Sequence, residues 1–174
     1  SVFKNSICNL SGTNAASIIN GILVTAGASI SVFNNRVAGL SAPVANAANP
    51  VNGLNITGGT TVNVYYNTVH LNAGSTGILF GSSAIQASSS ATVNLRNNIF
   101  INLSTPMGAT GFSVAYRRSS TTLTSYAATS NNNIFYAGTP TVNNLIFYDG
   151  TNSDQTIIAY KSRVTPRDGS SNTE

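Results

Sequence analysis

A five-residue pattern returns along this chain about every 30 residues: an apolar residue, any residue, Asn, any residue, then Ile or Val. Its copies are Phe3-Lys4-Asn5-Ser6-Ile7, Phe33-Asn34-Asn35-Arg36-Val37, Tyr65-Tyr66-Asn67-Thr68-Val69 and Leu95-Arg96-Asn97-Asn98-Ile99, with a degenerate fifth at Ser130-Asn131-Asn132-Asn133-Ile134. Between them lies a second element, a turn residue followed by alternating apolar positions. It reads Gly21-Ile22-Leu23-Val24, Gly53-Leu54-Asn55-Ile56, Gly77-Ile78-Leu79-Phe80, Gly111-Phe112-Ser113-Val114 and Asn144-Leu145-Ile146-Phe147. Strand and turn signals alternating on a fixed cycle mark a solenoid.

The period fits a β-coil. Roughly 22–35 residues hold two or three strands of three to five residues with their turns, and successive coils stack ~4.8 Å apart. Alternation along each strand sends one set of side chains inward, for example Val62, Val64 and Val69. A leucine-rich repeat of this length needs a leucine framework that is missing. Helical repeats need helix formers, whereas Asn, Gly, Thr and Ser dominate here. The expected fold is all-β: a right-handed parallel β-helix of about five coils over residues 1–152. Residues 153–174 add a short helix and tail to the same domain.

Asn at the anchor has two uses. It tolerates the left-handed backbone of a sharp bend, and a buried amide can donate to one neighbouring coil and accept from the other. Asn35, Asn67 and Asn97 are expected to form such a ladder, with Asn5 and Asn132 at its ends. Towards the C-terminus the pattern breaks. Ser153 or Asp154 reads as a helix cap, and Ile157, Tyr160 and Val164 follow at helical spacing. A helix over roughly 154–163 is expected, then an irregular polar tail from Pro166.

Composition narrows the function. Charged residues are only 7% of the chain, against a usual quarter, yet the longest apolar runs, such as Ile22–Val24 and Ile99–Ile101, are far shorter than a membrane span. Eight scattered basic residues do not make the dense face of a nucleic-acid binder. Cys8, the single cysteine, excludes an internal disulfide and reads as a small buried apolar side chain. The chain opens within what reads as a repeat, so any targeting segment is expected upstream of Ser1.

Several stretches resemble one family. They are Val62 to Val69, Leu95 to Phe100, Ala115-Tyr116-Arg117-Arg118-Ser119-Ser120, Asn131 to Gly138, and the tail from Ile158 through Pro166-Arg167-Asp168. Together they are similar to large secreted bacterial proteins that carry right-handed β-helix repeats and often a sorting domain of the type IX secretion system. The resemblance implies a secreted or cell-surface location and flanking domains in the same polypeptide. It implies no activity.

The β-helix is also the fold of pectate lyases and polygalacturonases, which need clustered carboxylates, either to hold calcium or as an acid–base pair. Residues 1–148 contain no Asp or Glu. Asp149 falls in an Asp149-Gly150 turn and Asp154 at a helix start. His70, the single histidine, has no acid nearby in sequence to orient it. No catalytic residue, metal or cofactor is therefore expected in this segment. Asn9, Asn55 and Asn102 begin glycosylation-like triplets, which chance explains in a chain so rich in Asn and Thr.

Two groups of side chains could bind glycans by stacking and cation contacts. One is Tyr65, Tyr66 and His70; the other is Tyr116, Arg117 and Arg118. The leading expectation is nonetheless structural: a non-catalytic scaffold or stalk of a surface fibre or adhesin, its partners being flanking domains and other copies in an assembly. A carbohydrate-binding module and a degenerate polysaccharide lyase or hydrolase are the alternatives.

Overall fold

Short runs of β-branched and aromatic residues, separated by Asn and Gly turns, build three sheets that run the length of the molecule. A computed structural model describes residues 1–173 and shows a parallel β-solenoid of about five coils. The first sheet joins β1 (Val2–Phe3), β4 (Ser29–Phe33), β7 (Thr61–Tyr65) and β10 (Thr92–Arg96). The second joins β2 (Ser6–Ile7), β5 (Arg36–Ala38), β8 (Thr68–Leu71), β11 (Ile99–Asn102) and β13 (Ile134–Tyr136). The third joins β3 (Ile19–Val24), β6 (Ala47–Ile56), β9 (Phe80–Ala87), β12 (Ser113–Arg118) and β14 (Asn144–Tyr148). All these pairs are parallel. A last strand, β15 (Ser153–Asp154), pairs antiparallel with β14.

Because register is kept from coil to coil, inward side chains stack in columns. One runs Val32, Val64, Leu95; another Val37, Val69, Phe100, Phe135; a third Ile22, Leu54, Ile85, Tyr116, Phe147. All are buried, as are the expected inward residues Val62, Val64 and Val69. The third column revises the second repeat element. Gly77-Ile78-Leu79-Phe80 precedes the wall, with Ile78 82% exposed, and the true partner of Leu54 is Ile85. Likewise Tyr116, not Phe112, continues the column. Glycine is required where the sheets crowd: a Cβ on Gly53 would lie 2.3 Å from a Val69 methyl and 2.5 Å from the Ala84 carbonyl oxygen.

The bend between the first two sheets separates two roles expected of one residue. The left-handed position is held by Lys4, Asn34, Tyr66, Asn97 and Asn132, with φ between 54° and 58°. The ladder amide is the next residue: Asn5, Asn35, Asn67, Asn98 and Asn133. Asn97 and Asn132 are therefore bend residues rather than rungs, and Asn98 and Asn133 replace them. A one-residue slip turns a side chain to the opposite face, and in Asn97-Asn98 the five-residue pattern selects the first of two adjoining asparagines.

Each ladder amide is fully used. Asn67 donates from Nδ2 to Asn98 Oδ1 (3.0 Å) and to the Val32 carbonyl (2.9 Å). Its Oδ1 accepts from the Asn35 backbone N–H (3.1 Å) and Asn35 Nδ2 (2.9 Å). The same contacts recur at Asn35, Asn98 and Asn133.

The ladder ends in the C-terminal segment, where the tail from Pro166 is irregular, built of turns, and is held by buried contacts at Asp168 and Ser171. Ser153 and Asp154 form β15 instead of capping a helix. The helix, α1 (Ile157–Val164), starts at Thr156, whose hydroxyl accepts from the Ala159 N–H. The carboxylate of Asp154 takes two hydrogen bonds from Arg163, at 2.6 and 2.8 Å. Beyond α1 the chain turns back so that Asp168 Oδ1 accepts from Asn133 Nδ2 (2.9 Å) and Ser171 Oγ accepts from the Asn133 N–H (2.8 Å). Cys8, expected inside, is exposed in the first coil.

Interior and terminal rungs should differ in cost. Asn67→Ala strands one carbonyl and two donors of Asn35 away from water and is expected to destabilise by about 3–5 kcal/mol. Asn5→Ala, at a solvent-exposed end, is expected to cost under ~1 kcal/mol. Urea unfolding of the two variants measures the contrast.

Candidate functional site

Of the six side chains proposed for ligand contact, four lie on separate parts of the outer wall and two point into the interior. Tyr65 ends β7 on the outside of the first sheet, half-buried. Its hydroxyl accepts from Asn94 Nδ2 and donates to Asn63 Oδ1, both at 2.8 Å. Tyr66 occupies the adjacent bend and is 60% exposed. With Arg96 and Asn97 of the next coil these tyrosines line an open cleft of about 300 Å³. His70 is exposed on β8, between Ala38 and Ile101 of its neighbouring strands, and does not line that cleft.

The second group is divided by strand alternation. Tyr116 and Arg118 point inward and are buried, which removes both from ligand contact. The register explains it: Tyr116 continues the Ile22–Leu54–Ile85 column, and Arg118 stands in line with Ala87 and, further up, Ile56 and Val24. Arg117 points out from the third sheet. It donates to Ser83 Oγ (2.8 Å) and lies 5.0 Å from the centre of the Tyr148 ring. Desolvation lowers its pKa to about 10, partly offset by Tyr148, so it remains a cation at neutral pH.

Tyr116 and Arg118 instead belong to a buried polar cluster that sequence reasoning missed. The Arg118 guanidinium donates to the Tyr116 hydroxyl (3.2 Å), the Thr122 carbonyl (2.8 Å) and Ser125 Oγ (3.0 Å). Arg118 and Arg167 lie 5.5 and 5.8 Å from the centre of the Tyr126 ring. Asp168 is fully buried. Its Oδ2 accepts from Tyr126 and, at 2.5 Å, from Tyr160; its Oδ1 accepts from Ser171 Oγ (2.6 Å) as well as from the ladder. With four donors on one carboxylate, and rings of Phe135 and Phe147 packed edge-on or tilted against Tyr160, the cluster closes the last coil. It has no opening to solvent at Asp168 or the three tyrosines, so it serves structure rather than substrate. No local sequence signal marks it, because Tyr126 lies 42 residues from Asp168 along the chain.

The remaining acids are engaged locally. Asp149 accepts from the Thr151 and Asn152 N–H groups and from Asn152 Nδ2. Burial works against its charge, but these bonds outweigh it and hold its pKa below the usual carboxylate range. Among the described residues no three His, Cys, Asp or Glu side chains gather as metal ligands, and no helix is long and apolar enough to cross a membrane. No protein-family model, curated protein or solved structure matches the chain.

The closing cluster sets the alkaline limit of stability. Burial raises Tyr116 to about 12 and, with the neighbouring Asp168 charge, Tyr126 and Tyr160 well above the ordinary tyrosine range. In the unfolded chain all three lose their protons near pH ~10. The folded state thus keeps protons that the unfolded state releases, and the associated stability, complete below pH ~10, declines as pH rises beyond it. Tyrosinate absorbance and circular dichroism followed together in an alkaline titration should show three of the seven tyrosines ionising only as β-structure is lost.

Proposed function

We propose that this chain is a structural scaffold segment of a secreted or cell-surface bacterial protein, non-catalytic, spacing flanking domains of the same polypeptide. The observation that carries the reading is the unbroken amide ladder with its Asp168 terminus. Stacking identical coils on satisfied hydrogen bonds makes a stiff rod whose interior leaves no space for a substrate. The C-terminal cap favours flanking domains over head-to-tail copies as partners, because α1 and β15 cover the edge on which another coil would stack. The engagement of the carboxylates supports a non-catalytic role: Asp149, Asp154 and Asp168 are each taken up in local structural hydrogen bonds.

A second reading, glycan recognition, has one specific observation in its favour: the exposed tyrosine cleft at Tyr65 and Tyr66. It is compatible with a scaffold, since only the outer face of the wall is involved.

Two measurements test the scaffold reading. Antibodies raised against the purified segment should label intact cells of the source organism as strongly as permeabilised ones; labelling only after permeabilisation defeats the surface assignment. Incubation with a panel of acidic and neutral polysaccharides should release neither reducing ends nor unsaturated products, and release of either defeats the non-catalytic assignment.

A further inference from the structure

Five residues occupy the same left-handed bend, and three of them are Asn. A bulky aromatic is a rare occupant of that backbone region, so Tyr66, at φ 54°, breaks the local rule its neighbours Asn34 and Asn97 obey. Lys4, at the open end of the column, is the other residue that departs from Asn there, and such departures mark candidates for function. The Tyr66 ring makes no hydrogen bond and stands 60% exposed beside the cleft.

Its surroundings form a strip. Phe3, Phe33, Tyr65 and Arg96 are in register on four successive coils, on the outside of the first sheet. Phe3 and Phe33 are stacked face to face, 5.0 Å between centres and 2° from parallel. Three coil steps give the strip a length of about 14 Å. Lys4 is exposed in the bend next to Phe3, Arg36 is exposed at the start of β5 on the far side of the same bend column, and Arg96 ends the strip. The one ion pair among the described residues, Arg163 with Asp154, lies in the C-terminal segment, so these three cations have no carboxylate partner. Exposed Asn34 and Asn97 flank Tyr66 along the bend column and offer amides that donate and accept together.

From this arrangement we infer that the strip from Phe3 to Arg96, with Tyr66 at its centre, binds an acidic oligosaccharide. Aromatic faces stack on the C–H faces of sugar rings, amides match neighbouring hydroxyls, and Lys4, Arg36 and Arg96 pair with carboxylate or sulfate groups. Single-stranded nucleic acid shares the taste for aromatics and cations, but three spaced cations are fewer than a phosphate backbone calls for. The inference rests on the glycan-recognition reading and is independent of the scaffold reading.

The test is calorimetric titration of the folded protein with four probes: an oligogalacturonate, a sulfated heparin-type oligosaccharide, a neutral gluco-oligosaccharide and an oligothymidylate. Tyr66→Asn restores the residue found at the neighbouring bends. It should leave the melting temperature unchanged or raised while weakening acidic-glycan binding about tenfold or more, the loss expected for one stacked ring. Arg96→Gln should weaken binding to a similar degree and flatten its salt dependence. The preferred acidic probe tells carboxylate from sulfate recognition. Equal affinity for the neutral oligosaccharide, tighter binding of the oligothymidylate, or acidic-glycan binding indifferent to Tyr66→Asn overturns the inference while other recognition remains open. No binding of any glycan by the folded protein overturns both it and the glycan-recognition reading.

Discussion

The asparagine ladder has a direction, and the molecule is organised around that fact. Every rung donates from Nδ2 towards the next coil and accepts at Oδ1 from the coil before. A buried amide is tolerable only when its donors and acceptor are all matched, so each rung depends on a rung above and another below. Such a chain of amides cannot stop inside the protein on another amide, which would leave a donor looking for a partner. It must stop on a group that only accepts. Asp168 is that group: its carboxylate accepts from Asn133 Nδ2 on one oxygen and from tyrosine hydroxyls on the other and hands nothing on.

The rest of the C-terminal segment follows from burying that charge. A lone carboxylate in an apolar interior is heavily penalised, and here four donors surround it. The tyrosine rings that bring two of those donors fill the wide end of the last coil, where the inward column changes from Ile22, Leu54 and Ile85 to Tyr116 and Phe147. Arg118 enters the interior at the same level, where its guanidinium finds a carbonyl, a hydroxyl and the face of Tyr126. The solenoid therefore changes character over its length. Its first coils are aliphatic with an amide ladder, and its last is a polar aromatic plug.

Much of this was legible in the chain, and the failures have separate causes. The 30-residue cycle shows coils, strand alternation correctly sends Val62, Val64 and Val69 inside, and Asn5, Asn35 and Asn67 are rungs because a single Asn, or the second of a pair, sits two residues before the inward-facing Ile or Val. Asn97 and Asn132 are bends although the pattern points to them, because it requires Ile or Val two residues on and so selects the first of two adjoining asparagines. Phase decides these cases, and phase is set by which apolar residue lies in register with Val37 and Val69, namely Phe100 and Phe135 rather than Ile99 and Ile134. Tyr116, Arg117 and Arg118 read as one group because they adjoin in sequence, whereas strand alternation sends the first and last inside and leaves Arg117 outside. The cap was illegible for another reason: Asp168 reaches Tyr126 across 42 residues and Asn133 across 35, and no local pattern announces contacts between a tail and the coil it folds back upon.

Separating the rung from the bend has a consequence for how such a wall can vary. The rung points inward and is coupled to two neighbours, so substituting it disturbs three coils at once. The bend residue before it needs only a left-handed backbone, and its side chain faces water. Lys4 and Tyr66 show that this position accepts chemistry unrelated to the fold, at the modest conformational cost of a non-glycine residue in that region. Along one edge of the solenoid a rigid inner column thus carries an outer column of replaceable side chains at a fixed ~4.8 Å pitch. That spacing makes the edge a suitable surface for reading an extended polymer: the ladder keeps each exposed group at a set distance from the next, and affinity need not be spent on ordering the site.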